Sequence, residues 1–344
     1  MAILNEYIDY LRYVRRYSSR TAEIYEEVLK GFVRYCVDAG AGADADAAGS
    51  GDDLPEVPDE ALLKALTPTQ IRNYEVHLLD ACRVKPRTVN QHLSALSSFC
   101  HYLISRKLLA SNPVSVVKRP KQEQRLPEFY RDDALEKYFQ ETAWWAGRES
   151  LQLHAGQKGD LVRNKGAKEA YMRRLSRLII SILYSTGIRR AELISLTRAS
   201  FDPSRKVLQV RGKGDKMRTI PLVFSLIEEI LVYLEAVEML MERPYGSGDP
   251  LLLTPAGGKL YPSFVDRAVK AELGAAEGIS GRLSPHVLRH SLATEVLSEG
   301  GDLYSIKELL GHASLAATQI YTHNSIAQLS KVYQSAHPRA KKRR

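Results

Sequence analysis

The chain has 344 residues and a net charge of +9, long enough for two cored domains. Residues 40–60 hold seven acids and no Lys or Arg, so the rest of the chain is still more basic. That balance favours a polyanionic partner. No run of about 18 apolar residues exists to cross a membrane, and MAILNEYIDYLRYVRRY lacks the apolar core of a signal peptide. Cys36, Cys82 and Cys100 form no Cys-x-x-Cys pair and leave an odd count. They read as core or idle thiols in a reducing compartment, which points to a soluble, cytoplasmic protein.

In chain order, Ile3, Leu4, Tyr7, Ile8, Leu11 and Val14 repeat with a helical period. Ser18 or Ser19 offers the cap of a second helix with Ile24, Val28, Leu29, Phe32 and Val33 on its apolar face. The acidic stretch of about 40–60 has almost nothing to bury and reads as a loop. Thr67-Pro68 predicts a helix running to Ala81, and Arg87-Thr88 opens another with apolar positions through Ile104. Asn112-Pro113 ends that pattern. The predicted layout is a helical bundle over 1–117, a basic extended linker over 118–127, and a second domain over 128–344.

In the second domain, Asp132–Phe139 is helical in pattern, and Gly147–Lys168 reads as a polar insertion or loose loop. A helix is expected over Tyr171–Ser185, followed by TGIRRAELISL. VLQVRGKGDKMRTIPL alternates about a glycine turn and predicts a β-hairpin. Helices follow over Phe224–Met241 and Phe264–Leu273, with a Pro/Gly-rich loop at 244–262 between them. Ser284-Pro285 then starts a helix that sets His286 and Arg289 three apart on one face. A helix over Leu303–Leu310 stops at Gly311-His312, and the next carries Tyr321. A short amphipathic helix about Ile326–Tyr333 precedes the basic terminus. The fold class is mainly α, two domains, with a small antiparallel sheet in the second.

The segment from Ser284 to Tyr321 resembles the C-terminal signature of the tyrosine site-specific recombinases. It has His-x-x-Arg at His286 and Arg289, Leu-Gly-His ending at His312, and a tyrosine nine residues beyond, Tyr321. TGIRRAEL matches the family's first arginine motif and selects Arg189 over Arg190, with Glu192 as a supporting residue. The glycine turn GKGD places Lys213 where the family carries its general acid. A nucleotide-binding loop would need Gly-x-x-x-x-Gly-Lys-Ser/Thr, which GKGD is not. Each piece alone has a bland reading, as a surface arginine or a basic hairpin. All six (Arg189, Lys213, His286, Arg289, His312, Tyr321) stand in family order.

The resemblance implies a two-domain DNA clamp: a helical core-binding bundle, then a mixed α/β catalytic domain. It implies DNA cleavage and rejoining through a 3′-phosphotyrosyl intermediate with Tyr321 as nucleophile, and no cofactor. Neither His286, Arg289 and His290 nor any acidic cluster forms a metal set. Arg87, Lys118, Arg119, Lys216 and Arg218 are expected to touch the DNA backbone. The HPR ending resembles the Xer branch, which implies chromosome-dimer resolution in a nucleoid-associated homo- or hetero-tetramer on two duplexes. Its subunits would join through the C-terminal helix, with a partner recombinase or a DNA translocase. A phage or mobile-element integrase would share the six residues. A DNA-binding protein that does not cut is disfavoured by them, and type IB topoisomerases share the chemistry as monomers.

Overall fold

The computed structural model describes residues 2–40, 57–121, 128–154, 164–212, 215–240, 245–298 and Leu310. They fall into two compact units, Met1–Arg125 and Leu126–Arg344.

The first unit is built of helices whose apolar stripes share one core. α1 (Ala2–Asp9) continues into a π-helical turn (Tyr10–Val14), followed by α2 (Ser19–Gly40), α3 (Asp59–Ala65), α4 (Pro68–Val76) with a second π turn (His77–Ala81), and α5 (Pro86–Ser105). Thr67 caps α4 as the sequence implies: its Oγ1 accepts from Gln70 N–H at 3.2 Å, with Pro68 in the first turn. Tyr7, Phe32, Tyr74, Leu93 and Phe99 meet in the core, each at most 2% exposed. Asn112 ends the pattern by accepting from Val114 N–H at 3.0 Å. Cys100 is buried, Cys36 half-buried and Cys82 exposed, all free thiols.

In the second unit α6 (Asp132–Glu141) precedes α7 (Lys165–Thr186), and α7 is the axis of the unit. From Arg174 to Thr186 every residue of α7 is buried, because other elements surround it on all sides. After it come α8 (Arg190–Ser195), β1 (Phe201–Asp202), β2 (Val207–Arg211), β3 (Met217–Pro221), α9 (Phe224–Leu240), α10 (Pro262–Gly274) and α11 (Pro285–Ser298). α9, α10 and α11 pack on α7. The sheet is antiparallel in the order β1-β2-β3, with Val210 opposite Arg218 and Arg211 opposite Met217. No helix among the described residues is long and apolar enough to cross a membrane.

Three expectations are corrected. α7 begins at Lys165, capped by the Asn164 side chain accepting from Ala167 N–H at 3.1 Å, six residues before the expected Tyr171. The polar stretch after Gly147 is packed from Arg148 to His154 in a 3₁₀ segment. Leu151 sits against Val232 and Ala236 of α9, while the buried Arg174 guanidinium donates to Ser150 Oγ and Trp145 O at 2.6 and 2.7 Å. A charged residue on α7 thus holds a segment that has too few apolar residues to announce itself as ordered. Similarly, the expected loop at 244–262 buries Leu251, Leu252, Leu253 and Leu260. The hairpin tip, the helix over Leu303–Leu310 apart from Leu310, and everything after Leu310 lie outside the described residues.

Candidate active site

The site grows from the end of α7. Gly187 closes that helix in the left-handed region, φ 60°, ψ 19°, and donates its N–H to Leu183 O at 2.9 Å. A Cβ there would meet Leu310 Cδ2 at 2.5 Å and Leu292 Cδ2 at 3.1 Å. Glycine therefore meets both a backbone and a packing demand at this position. The chain then buries Ile188 completely and turns into α8 with Arg189 at the N-cap position.

Glu192 lies three residues into this helix and reaches back. Its Oε2 accepts from Arg189 N–H at 2.9 Å, and its Oε1 accepts from Arg189 Nη1 at 2.9 Å. A second guanidinium reaches the same carboxylate from β3: Arg218 Nη1 to Oε1 at 3.1 Å and Nη2 to Oε2 at 2.8 Å. The Glu192 side chain is 6% exposed, Arg218 16% and Arg189 41%. Burial would raise the Glu192 pKa, but the Arg218 and Arg189 hydrogen bonds outweigh it and hold it below the usual carboxylate range. Arg190 goes elsewhere, into an ion pair with Asp266 of α10.

α11 supplies the next groups. Arg289 is 5% exposed; its Nη1 donates to Gly187 O at 2.5 Å and its Nη2 to Leu310 O at 2.7 Å. One guanidinium thus ties the α7 terminus to the segment that precedes His312. Burial, with Arg189 nearby as a second cause, lowers its pKa to about 10. His286 stands one turn earlier, exposed, with its Nε2 3.1 Å from Nε2 of His290. Partial burial lowers its pKa, followed by the charges of His290, Arg289, Arg282 and Arg189. It is therefore biased toward the neutral imidazole.

The start of α11 is gripped by the first residues of the unit. Tyr130 Oη donates to Arg282 O at 2.8 Å and accepts from Ser284 N–H at 3.2 Å, and Tyr130 N–H donates to Ser291 Oγ at 2.8 Å. The side-chain cap expected from Ser284 is not made among the described residues, because Ser284 Oγ is buried without a partner there. Only its carbonyl accepts, from Val287 and Leu288 N–H. Nothing in the sequence around Tyr130 flags this clasp, since the contact spans more than 150 residues.

Of the expected catalytic residues, Arg189, His286 and Arg289 are brought together, with Glu192 behind them. Lys213, His312 and Tyr321 lie outside the described residues. Of the expected DNA contacts, Arg87, Lys118 and Lys216 are exposed. Arg119 is exposed but also donates to Ser94 Oγ at 2.9 Å and Asn90 O at 3.3 Å. Arg218 is the exception, turned inward onto Glu192. Among the described residues no group of three or more His, Cys, Asp or Glu is placed to hold a metal.

Residues 162–328 match the phage integrase family, and residues 3–109 match the phage integrase N-terminal SAM-like domain. Tyrosine recombinase XerC of Chlorobaculum parvum is 33% identical over 290 residues, covering 81% of this chain and 82% of that protein. The chain belongs to the tyrosine recombinases. Another relative, tyrosine recombinase XerC of Bacillus pumilus, is 32% identical over 345 residues, covering 99% of this chain and 98% of its own. This tyrosine recombinase is a site-specific enzyme that cleaves and rejoins DNA. Its fold is shared with the XerH site-specific recombinase bound to its difH substrate (TM-score 0.57, 21% identity, 91% of this chain and 76% of that one). It is shared also with the Tn1549 transposon integrase in complex with transposon right end DNA (TM-score 0.59, 15% identity, 96% and 98%).

Proposed function

We propose that this recombinase acts as a Xer-type enzyme on a chromosomal site, resolving chromosome dimers, with Tyr321 as its nucleophile. The Tyr321 oxygen attacks the scissile phosphorus, the P–O5′ bond breaks, and a 3′-phosphotyrosyl link forms. Arg189 and Arg289 donate to the non-bridging oxygens, whose charge grows in the transition state. His286 and His312 add hydrogen bonds, and neutral His286 is the acceptor for the tyrosine proton. A free tyrosine has a pKa of roughly 10, so phenolate at pH 7 costs about 4 kcal/mol, which two guanidinium groups reduce. Lys213 gives its proton to O5′. The covalent link conserves the phosphodiester energy, so rejoining by another 5′ hydroxyl needs no ATP.

The observation that carries this reading is that Arg289 bonds Gly187 O two residues before Arg189, while His286, one turn before Arg289 on α11, feels the charge of both arginines. The Xer relatives over nearly the whole chain support the chromosomal role over a mobile-element one. In this reading residues 1–117 form the DNA-binding core domain, 118–127 the linker and 128–344 the catalytic domain. Four subunits, of one kind or two, hold two duplexes through the C-terminal helix in the nucleoid, with a partner recombinase or translocase. The test is a nicked suicide substrate: Tyr321→Phe binds it with unchanged affinity and forms no covalent adduct. An adduct with that variant removes Tyr321 from its role. Sequencing the DNA trapped on the parent enzyme across a genome distinguishes one chromosomal site from a mobile element's ends.

A further inference from the structure

Glu192 is shared by two arginines from different elements, and only Arg189 is on its own helix. The other, Arg218, is the second residue of β3, and the β2–β3 turn contains Lys213. The described base of that turn is closed by Gly212 N–H donating to Lys216 O at 2.8 Å. The cross-strand pair Arg211–Met217 lies just before it, and Arg218 stands opposite buried Val210. Backbone pairing fixes β3 against β2 but says nothing about where the hairpin stands relative to α8. Leu208, Val210 and Ile220 share a core with Leu193 of α8, which seats the hairpin there, and the two-pronged contact from Arg218 to Glu192, at 3.1 and 2.8 Å, adds a polar lock on its orientation. A planar guanidinium on a buried carboxylate allows one orientation, which a lysine at this position would not enforce.

We infer that Arg218 is a positioning residue for leaving-group protonation: through Glu192 it locks the β2–β3 hairpin to the helix that bears Arg189. The inference rests on the proposed role of Lys213 as general acid. It also turns Arg218 away from the DNA-backbone contacts that its sequence position suggests, because both terminal nitrogens face Glu192 and the side chain is only 16% exposed.

Gly212 belongs to the same lock. A Cβ there would stand 3.3 Å from Arg218 Nη1 and 3.4 Å from Lys216 O, and 3.8 Å from Glu192 Oε1. Its methyl would press on the guanidinium at the end of a flexible side chain, so the guanidinium would give way first.

The experiment compares two substrates in single-turnover cleavage. In the ordinary one, Tyr321 oxygen forms a bond to phosphorus, the P–O5′ bond breaks, and O5′ takes a proton from Lys213. In the other, sulfur replaces the bridging O5′; the P–S bond breaks and a thiolate leaves without needing a proton. Misplacing a catalytic group by about 1 Å costs on the order of 100-fold. Arg218→Met is therefore expected to slow oxygen-substrate cleavage by about that factor. The sulfur substrate should return it close to the parent rate, with DNA affinity unchanged. Gly212→Ala, which keeps Arg218 in the chain and shifts it by a few tenths of an ångström, is expected to show a smaller split in the same direction, and it carries the test should Arg218→Met fail to fold. An equal loss on both substrates refutes the inference, since the defect then lies at Arg189 or in the fold. So does weakened DNA binding with normal cleavage at saturation, the signature of a phosphate contact. Lys213→Ala is the control. If sulfur does not restore it, the general-acid role itself fails; if sulfur restores it but not the other two variants, only the role of Arg218 fails.

Discussion

Gly187→Ala tests whether the turn after α7 is the hub of the catalytic unit. The backbone holds φ 60°, where an L-residue costs roughly 1–2 kcal/mol. The new methyl would also enter the space of Leu310 Cδ2, 2.5 Å away, and Leu292 Cδ2, 3.1 Å away. Overpacking of this kind costs about 1–3 kcal/mol. Alanine recovers roughly 0.4–1 kcal/mol by restricting the unfolded chain. The net destabilisation is then about 3 kcal/mol. With a urea slope of about 2 kcal/mol/M, the midpoint falls by about 1.5 M. The assay is clean, because the only two tryptophans, Trp144 and Trp145, both lie in the second unit. Their fluorescence follows that unit alone. Cleavage should fall as well, since Gly187 O is an acceptor for Arg289. Gly187→Ala and Leu310→Ala together should cost less than the sum of the two alone, because the shorter side chain vacates the nearest contact. A midpoint within 0.2 M of the parent, to take about a tenth of the expected shift, would refute the argument.

Two further outcomes are expected. Arg177 and Glu229 form an ion pair at 4% and 3% exposure, with Arg177 Nε also donating to Thr142 Oγ1 at 3.0 Å. Arg177→Met should destabilise the unit by about 3–5 kcal/mol by stranding a buried carboxylate, and Arg177→Met with Glu229→Leu should regain most of it in the same fluorescence assay. His154 is fully buried, and burial followed by the Arg174 charge lowers its pKa to about 4. Unfolded, it takes a proton near its ordinary value of about 6.5, so stability is lost as pH falls from there to about 4, by roughly 3 kcal/mol at most. His154→Leu should flatten that part of the stability profile; an unchanged slope between pH 6.5 and 4 would show that His154 is not its source.

Most helix positions in the first unit could be read directly, because α2, α4 and α5 each have an apolar stripe and a local start signal; α3 could not, since it begins at Asp59 inside the acidic stretch and has no side-chain cap. Thr67-Pro68 and Asn112 act through neighbours two or three residues away, so their roles were legible without any tertiary knowledge. The segment over Arg148–His154 was not, because it is held by Arg174 and α9 rather than by its own pattern. The same division runs through the site. Gly187, Arg189 and Glu192 lie within six residues, and their spacing alone suggests a turn, an arginine and a bracing carboxylate. The inward turn of Arg218 could not be read, since alternation along a strand states which residues share a face but not what that face meets.

The linear chain by itself determined the order of the helices, the small hairpin and the family motifs. All of these depend on interactions within a turn or two of backbone, or on residue identity at fixed spacing. Only the tertiary structure decided that Arg289 spans Gly187 and Leu310, that Tyr130 clasps the start of α11, and that Glu192 serves two arginines at once. These contacts join residues between 21 and 161 positions apart, Arg189–Glu192 excepted. Periodicity carries no information over such spans; packing around α7 brings the partners within reach, and burial then leaves each polar group one set of atoms to bond.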